Sequence, residues 1–173
     1  RMVRHRYALL WLTLALVACS PSLNWREVRP AGGELKAWLP CKPDQATRRQ
    51  SLAGYDVDLA MLGCEAGGGL YAISVVELGA PQQAHPVQAQ WQTNLLATMQ
   101  AQGAQRQPFA IRGASAQPEA LRLQAVGRNA EGRPLTVQAV WFTRGNRLYH
   151  AALYAEQLTP EMSEPFFGGL ELP

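Results

Sequence analysis

Hydrophobic and polar positions along the chain follow two periods, and the change from one to the other lays out the elements. Apolar residues at 55, 57, 59 and 61 alternate with Asp56, Asp58 and Ala60, the period of two expected of a half-buried strand. The stretch 70–78 (LYAISVVEL) is apolar almost throughout and rich in β-branched residues, which suits a central strand. Shorter extended segments are expected at 25–28, 34–39 and 48–52, with Pro40 ending the second. Turns are expected at Ala53-Gly54 and Gly67-Gly68-Gly69. The triple glycine lacks the Lys-Ser/Thr that completes a phosphate loop, so it reads as a hairpin turn.

From Pro86 the period becomes helical. Val87, Trp91, Leu95 and Met99 recur every four residues, with a proline at the start and Gly103 beyond the end, so a helix is expected over 86–102. Gln88, Gln90, Gln92 and Gln100 give it an uncharged polar face. Its apolar stripe reads as core contact in preference to a partner groove. A short strand is expected at 108–111.

Strand periods return at 120–126, 135–143 and 147–155, joined by a loop holding Glu131-Gly132 and by the turn Arg144-Gly145-Asn146. Thr159-Pro160-Glu161 opens a short helix, 159–167, whose Phe166 and Phe167 should pack on the sheet. The expected fold class is α+β: a single antiparallel sheet of about six to seven strands, one main helix (86–102) and a short C-terminal helix (159–167). Neither an internal repeat nor a domain boundary is evident within 25–173.

The first twenty residues are of another kind. Arg1, Arg4 and Arg6 precede an acid-free apolar run from Tyr7 to Ala18, interrupted only by Thr13. A basic head, a short apolar run and small residues before a cut site describe a secretory signal, here 1–18. The run falls short of the roughly 20 apolar residues that span a bilayer. Leu16-Val17-Ala18-Cys19 resembles a bacterial lipoprotein lipobox. That resemblance implies diacylation of the Cys19 thiol, cleavage before it and acylation of the new amino terminus. The competing reading is an ordinary secretory signal that leaves Cys19 as a free thiol. Ser20 stands where inner-membrane retention has Asp, so the family pattern implies a lipid anchor in the outer membrane, on its periplasmic face. Residues 19–24 then form a lipidated tether; its last five span at most about 17 Å.

Removing 1–18 changes the charge. The 16 Lys+Arg fall to 13, equal to the 13 Asp+Glu, so the net charge of +3 belongs to the signal. The remaining arginines are scattered, without the basic patch of a nucleic-acid binder; no nucleic-acid partner is expected. With Cys19 lipidated, Cys41 and Cys64 remain, an even pair in a chain bound for an oxidising compartment. A disulfide is the favoured reading, against two buried thiols or half a zinc site. Zinc takes about four ligands, and His85 and His150 lack the spacing to complete a set.

The order of elements, with the Arg147–Tyr149 stretch and the Phe-Phe ending of the short helix (166–172), is similar to the PsbP-like α/β fold. That fold is named for an accessory protein of photosystem II and is also seen in bacterial lipoproteins. The resemblance covers most of residues 34–172 and carries over no functional residue. The chain also resembles small uncharacterised lipoproteins of proteobacteria.

Candidate chemistry is sparse. His150 lies in an apolar strand with no nucleophile and orienting acid beside it in sequence, so a core or sheet-surface histidine with a satisfied hydrogen bond is expected. Asp56 and Asp58 share a strand face, but two carboxylates fall short of the six or more oxygens calcium takes. Arg48-Arg49 is too short to be a binding patch, and Glu161 and Glu164 are early-helix acids suited to the helix dipole. Trp25 and Trp38 suit either a membrane interface or the core. No catalytic or metal site and no cofactor are expected. The leading reading is a non-catalytic interaction or accessory module of the envelope, with an envelope protein as partner. A carrier of a small apolar ligand is the alternative, and a hydrolase the third.

Overall fold

The computed structural model describes residues 22–173; the expected signal (1–18) and Cys19 lie outside the described residues. Nine strands and two α-helices follow in order. They are β1 (Arg26–Val28), β2 (Ala37–Leu39), β3 (Asp44–Leu52), β4 (Tyr55–Ala66), β5 (Gly69–Glu77), α1 (Ala84–Thr98), β6 (Gln105–Pro108), β7 (Leu121–Arg128), β8 (Pro134–Arg144), β9 (Arg147–Ala155) and α2 (Pro160–Gly168). Seven strands make one antiparallel sheet in the order β3-β4-β5-β9-β8-β7-β6. The near-continuous apolar run of β5 is explained by its place beside β9, with both faces buried.

Strand periodicity sends alternate residues to two separate cores. Leu62, Cys64, Tyr71, Ile73, Phe142, Tyr149 and Leu153 face a layer formed by β1–β2, α2 and the tail residues Leu170 and Leu172. Val57, Leu59, Val76, Leu123, Val137, Trp141 and Leu148 face α1, whose Val87, Trp91 and Leu95 are buried together with Met99 at its C-cap. The α1 stripe is therefore core contact, as its spacing implies.

Several expectations need correction. The segments at 25–28 and 34–39 do not join the main sheet; β1 and β2 pair only with each other. They cover one face, where Lys36 exchanges backbone hydrogen bonds with Glu171 at 2.9 Å and pairs with its carboxylate. The main helix runs from Ala84 to Thr98 instead of 86–102, because a 3-10 turn at Pro81–Gln83 leads into it. Pro86 still falls in the first turn, where an amide is not needed. Gln100 takes a left-handed φ of 51° and ends the helix before Gly103. The strand expected at 108–111 lies earlier, at β6. Strand β4 continues past Met61 to Ala66, so only Gly67 and Gly68 form the turn. The C-terminal helix starts one residue later than expected, behind Thr159.

Cys41 and Cys64 are joined by a disulfide with Cα atoms 6.0 Å apart, within the span a bridge tolerates. It ties the chain just after β2 to β4, the strand next to the β3 edge of the sheet.

Candidate functional site

Helix α1 is shorter than the strands beneath it. Its 15 residues extend about 22 Å, whereas the 11 residues of β8 extend about 37 Å. The helix therefore leaves one end of its sheet face uncovered. Leu70, on the α1 side of β5, is 41% exposed there, and Leu135 and Tyr154 are half-buried.

A cleft of about 800 Å3 opens at this place, within the size range of ligand sites. Leu70, Leu135, Met99 and Tyr154 make its floor; the β4–β5 turn forms one lip and the β7–β8 turn the other. A smaller hollow of about 260 Å3 adjoins it through Thr98, Met99 and Tyr154, reaching Trp91. The tight join of helix and sheet behind the floor depends on Gly127. Arg128 donates its amide to the Met99 carbonyl at 2.7 Å, and a Cβ on Gly127 would collide with that carbonyl.

The rim carries charges of both signs: Arg128 and Arg133 against Glu65 and Glu156. Arg133 Nε lies 3.4 Å from Glu156 Oε1. The Arg128 guanidinium donates to the Gly132 carbonyl at 2.8 Å. Asn129 Oδ1 accepts from the amides of Glu131 and Arg133, an Asx-type turn that fixes this lip. Burial pushes the Tyr154 phenol up to about 12, so at neutral pH it is a hydrogen-bond donor. The cleft offers an apolar floor, a phenol and two charges of each sign.

The N-terminal end of the described chain lies at the same end of the sheet, on the opposite face, where Leu23 packs with the β1–β2 and α2 layer. Leu23 packs against Gly67, whose Cβ position would fall 2.8 Å from Leu23 Cδ2. Gly67 holds a φ of +58°, a conformation glycine adopts without cost. Gly68 and Gly69 continue from it along the cleft.

The other nominated residues disperse. His150 is buried under α1, its ring between Trp91 (centroids 4.6 Å apart) and Trp141 (4.7 Å). Neither ring nitrogen has a partner among the described residues, which corrects the expected satisfied hydrogen bond. Burial drives its pKa down to about 3, so the imidazole is neutral. Gln88 and Gln92, read from sequence as an outward polar face, are buried as well. Gln92 accepts from Arg106 at 3.2 Å, while Gln88 Oε1 has no partner among the described residues.

Asp56 and Asp58 are exposed and flank Arg49, at 3.9 and 3.3 Å. They form a surface ion-pair cluster. Trp25 stacks edge-on against Tyr71 at 5.8 Å, and Trp38 packs near Gly169; both are half-buried. Glu161 occupies the first turn of α2. Among the described residues no group of three or more His, Cys, Asp or Glu could hold a metal ion. No described helix is long and apolar enough to cross a membrane.

The cleft residues escaped sequence reading. Arg128 and Arg133 bracket a segment recognisable only as a loop, and Leu70 and Leu135 read as ordinary strand positions. No family model matches the chain, and no curated relative matches. Among solved structures it is similar to the Pseudomonas aeruginosa protein PA94, a protein of unknown function. That match has 19% identity over 76% of this chain and 82% of the other, at a TM-score of 0.39, too low to bear on function.

Proposed function

We propose that this protein is a lipid-anchored, non-catalytic accessory module of the bacterial cell envelope, with a PsbP-like fold, held by Cys19 on the periplasmic face of the outer membrane. The supporting observation is the packing of Leu23 against Gly67. Cys19 stands four residues upstream, at most about 14 Å away along an extended chain. An anchor on Cys19 keeps the cleft end of the fold close to the leaflet. Three acyl chains, at about 0.8 kcal/mol per buried methylene, make such an anchor effectively permanent. The equality of basic and acidic residues after removal of 1–18 suits a protein held by lipid in place of charge. The partner class is an envelope component near that membrane.

Intact-mass analysis of the protein recovered from envelopes tests the anchor. The expected form begins at Cys19 and carries acyl groups, and Cys19→Ala accumulates as unprocessed precursor. A mature, unacylated amino terminus elsewhere refutes the anchor. A deletion strain restored fully by a soluble, unlipidated form refutes the need for it. A second reading, carriage of a small apolar ligand, is favoured by the cleft.

A further inference from the structure

We infer that the cleft beneath the C-terminal end of α1 binds a zwitterionic phospholipid, taken from the leaflet in which Cys19 is anchored. The leaflet as source rests on the anchored reading above; the ligand class rests on the cleft. Its floor of Leu70, Met99 and Leu135, closed by the Tyr154 ring, accepts an acyl chain. With apolar burial at roughly 25 cal/mol per Å2, chain insertion drives binding.

Rim charge selects the headgroup. Arg128 and Arg133 suit a phosphate, and Glu65 and Glu156 suit an ammonium. Two charges of each sign match a phosphate–ammonium pair better than a purely anionic head, which the two carboxylates would repel. Position favours the same occupant: Leu23, four residues from Cys19, packs against Gly67 of the β4–β5 turn, at the cleft end of the sheet though on its opposite face. A lipid leaving the leaflet therefore has a tether's length to travel.

The test places a photoreactive benzophenone residue at Leu70 in the mature protein, in nanodiscs of equal parts phosphatidylethanolamine and phosphatidylglycerol. Tyr55, 37% exposed and at the opposite end of β4, serves as control. The expected result is at least tenfold more lipid adduct at 70 than at 55, phosphatidylethanolamine predominating. Leu135→Trp, which fills the floor, should cut the adduct at 70 at least tenfold while leaving circular dichroism unchanged. Equal labelling at both positions overturns the proposal. So does labelling at 70 that ignores Leu135→Trp, which would indicate mere contact with the bilayer, and so does a preference for phosphatidylglycerol. Intact mass of the same sample reports acylation of Cys19. If Cys19 is unacylated, monomeric lysophosphatidylethanolamine replaces the nanodisc. Labelling at 70 that Leu135→Trp abolishes then supports the cleft while refuting the anchor, and its absence refutes the cleft.

Discussion

Acid should destabilise this protein through one residue, His150. The imidazole is 5% exposed, lies between two indoles, and has no hydrogen-bond partner among the described residues for either nitrogen. Its register neighbours across β9 are Ser74 and Trp141, neither of which carries charge. An imidazolium between two indole faces would gain about 2 kcal/mol at best from cation–π attraction. Desolvation outweighs that gain, and the pKa falls to about 3. The unfolded chain takes up a proton near pH 6.5, the folded one only near 3. Stability is therefore fully present above pH 6.5 and is lost as pH falls from 6.5 towards 3.

The loss is about 1.4 kcal/mol per pH unit, hence roughly 2 kcal/mol between pH 6.5 and 5, a window above most carboxylate titration. With a urea m-value near 2 kcal/mol/M, the midpoint should fall by about 1 M. His150→Phe keeps a ring in the slot and removes the titrating group, so its midpoint should stay flat over the same window. At pH 7 the variant also sheds two unpartnered ring nitrogens, each costing about 1–3 kcal/mol when buried. Overpacking by the larger ring costs a comparable amount, so the pH dependence is the cleaner readout. A wild-type midpoint that does not move between pH 6.5 and 5, or a slope that persists in His150→Phe, would falsify this account.

Other perturbations have equally definite outcomes. Reducing Cys41–Cys64, which lie 23 residues apart, should lower stability by about 3 kcal/mol, read as a reductant-dependent drop in denaturation midpoint. Trp91→Ala empties the α1–sheet interface and the flank of His150, at a cost of about 3–5 kcal/mol by urea titration. Gly127→Ala forces a methyl group against the Met99 carbonyl and should cost about 1–3 kcal/mol. A Val126→Ala control, 60% exposed in the same strand, should change stability by less than about 0.5 kcal/mol.

Much of the fold was legible because burial and periodicity coincide. Val87, Trp91, Leu95 and Met99 mark the helix face, and alternation in β4 and β9 assigns side chains to the observed faces. What stayed hidden was the length and partnering of elements whose neighbours decide them. Strand β3 is exposed along nearly all its length and has little apolar pattern; it exists because β4 offers a nine-residue register from Asp44 to Leu52. The short β1 and β2 have strand composition but no signal saying which sheet they join. They pair with each other over one face of the sheet, and the tail joins them through an isolated bridge between Lys36 and Glu171.

The cleft stayed hidden for a related reason. Nothing in the residues 128–133, or in Leu70 and Leu135 as strand positions, announces a site. It arises from a difference in length, because α1 stops at Thr98, with Met99 as its cap, while β5, β8 and β9 run on beneath it. The helix ends there for local reasons, the left-handed Gln100 and the carbonyl of Met99 taken by the Arg128 amide. Backbone geometry thus leaves apolar strand residues uncovered at the one end of the sheet that also receives Leu23. An uncovered apolar floor ordinarily loses stability to water. Here it stands where an anchor on Cys19 would keep lipid within reach, and occupancy would restore the missing burial. Bound lipid should accordingly raise the denaturation midpoint of the wild type and leave that of Leu135→Trp unchanged.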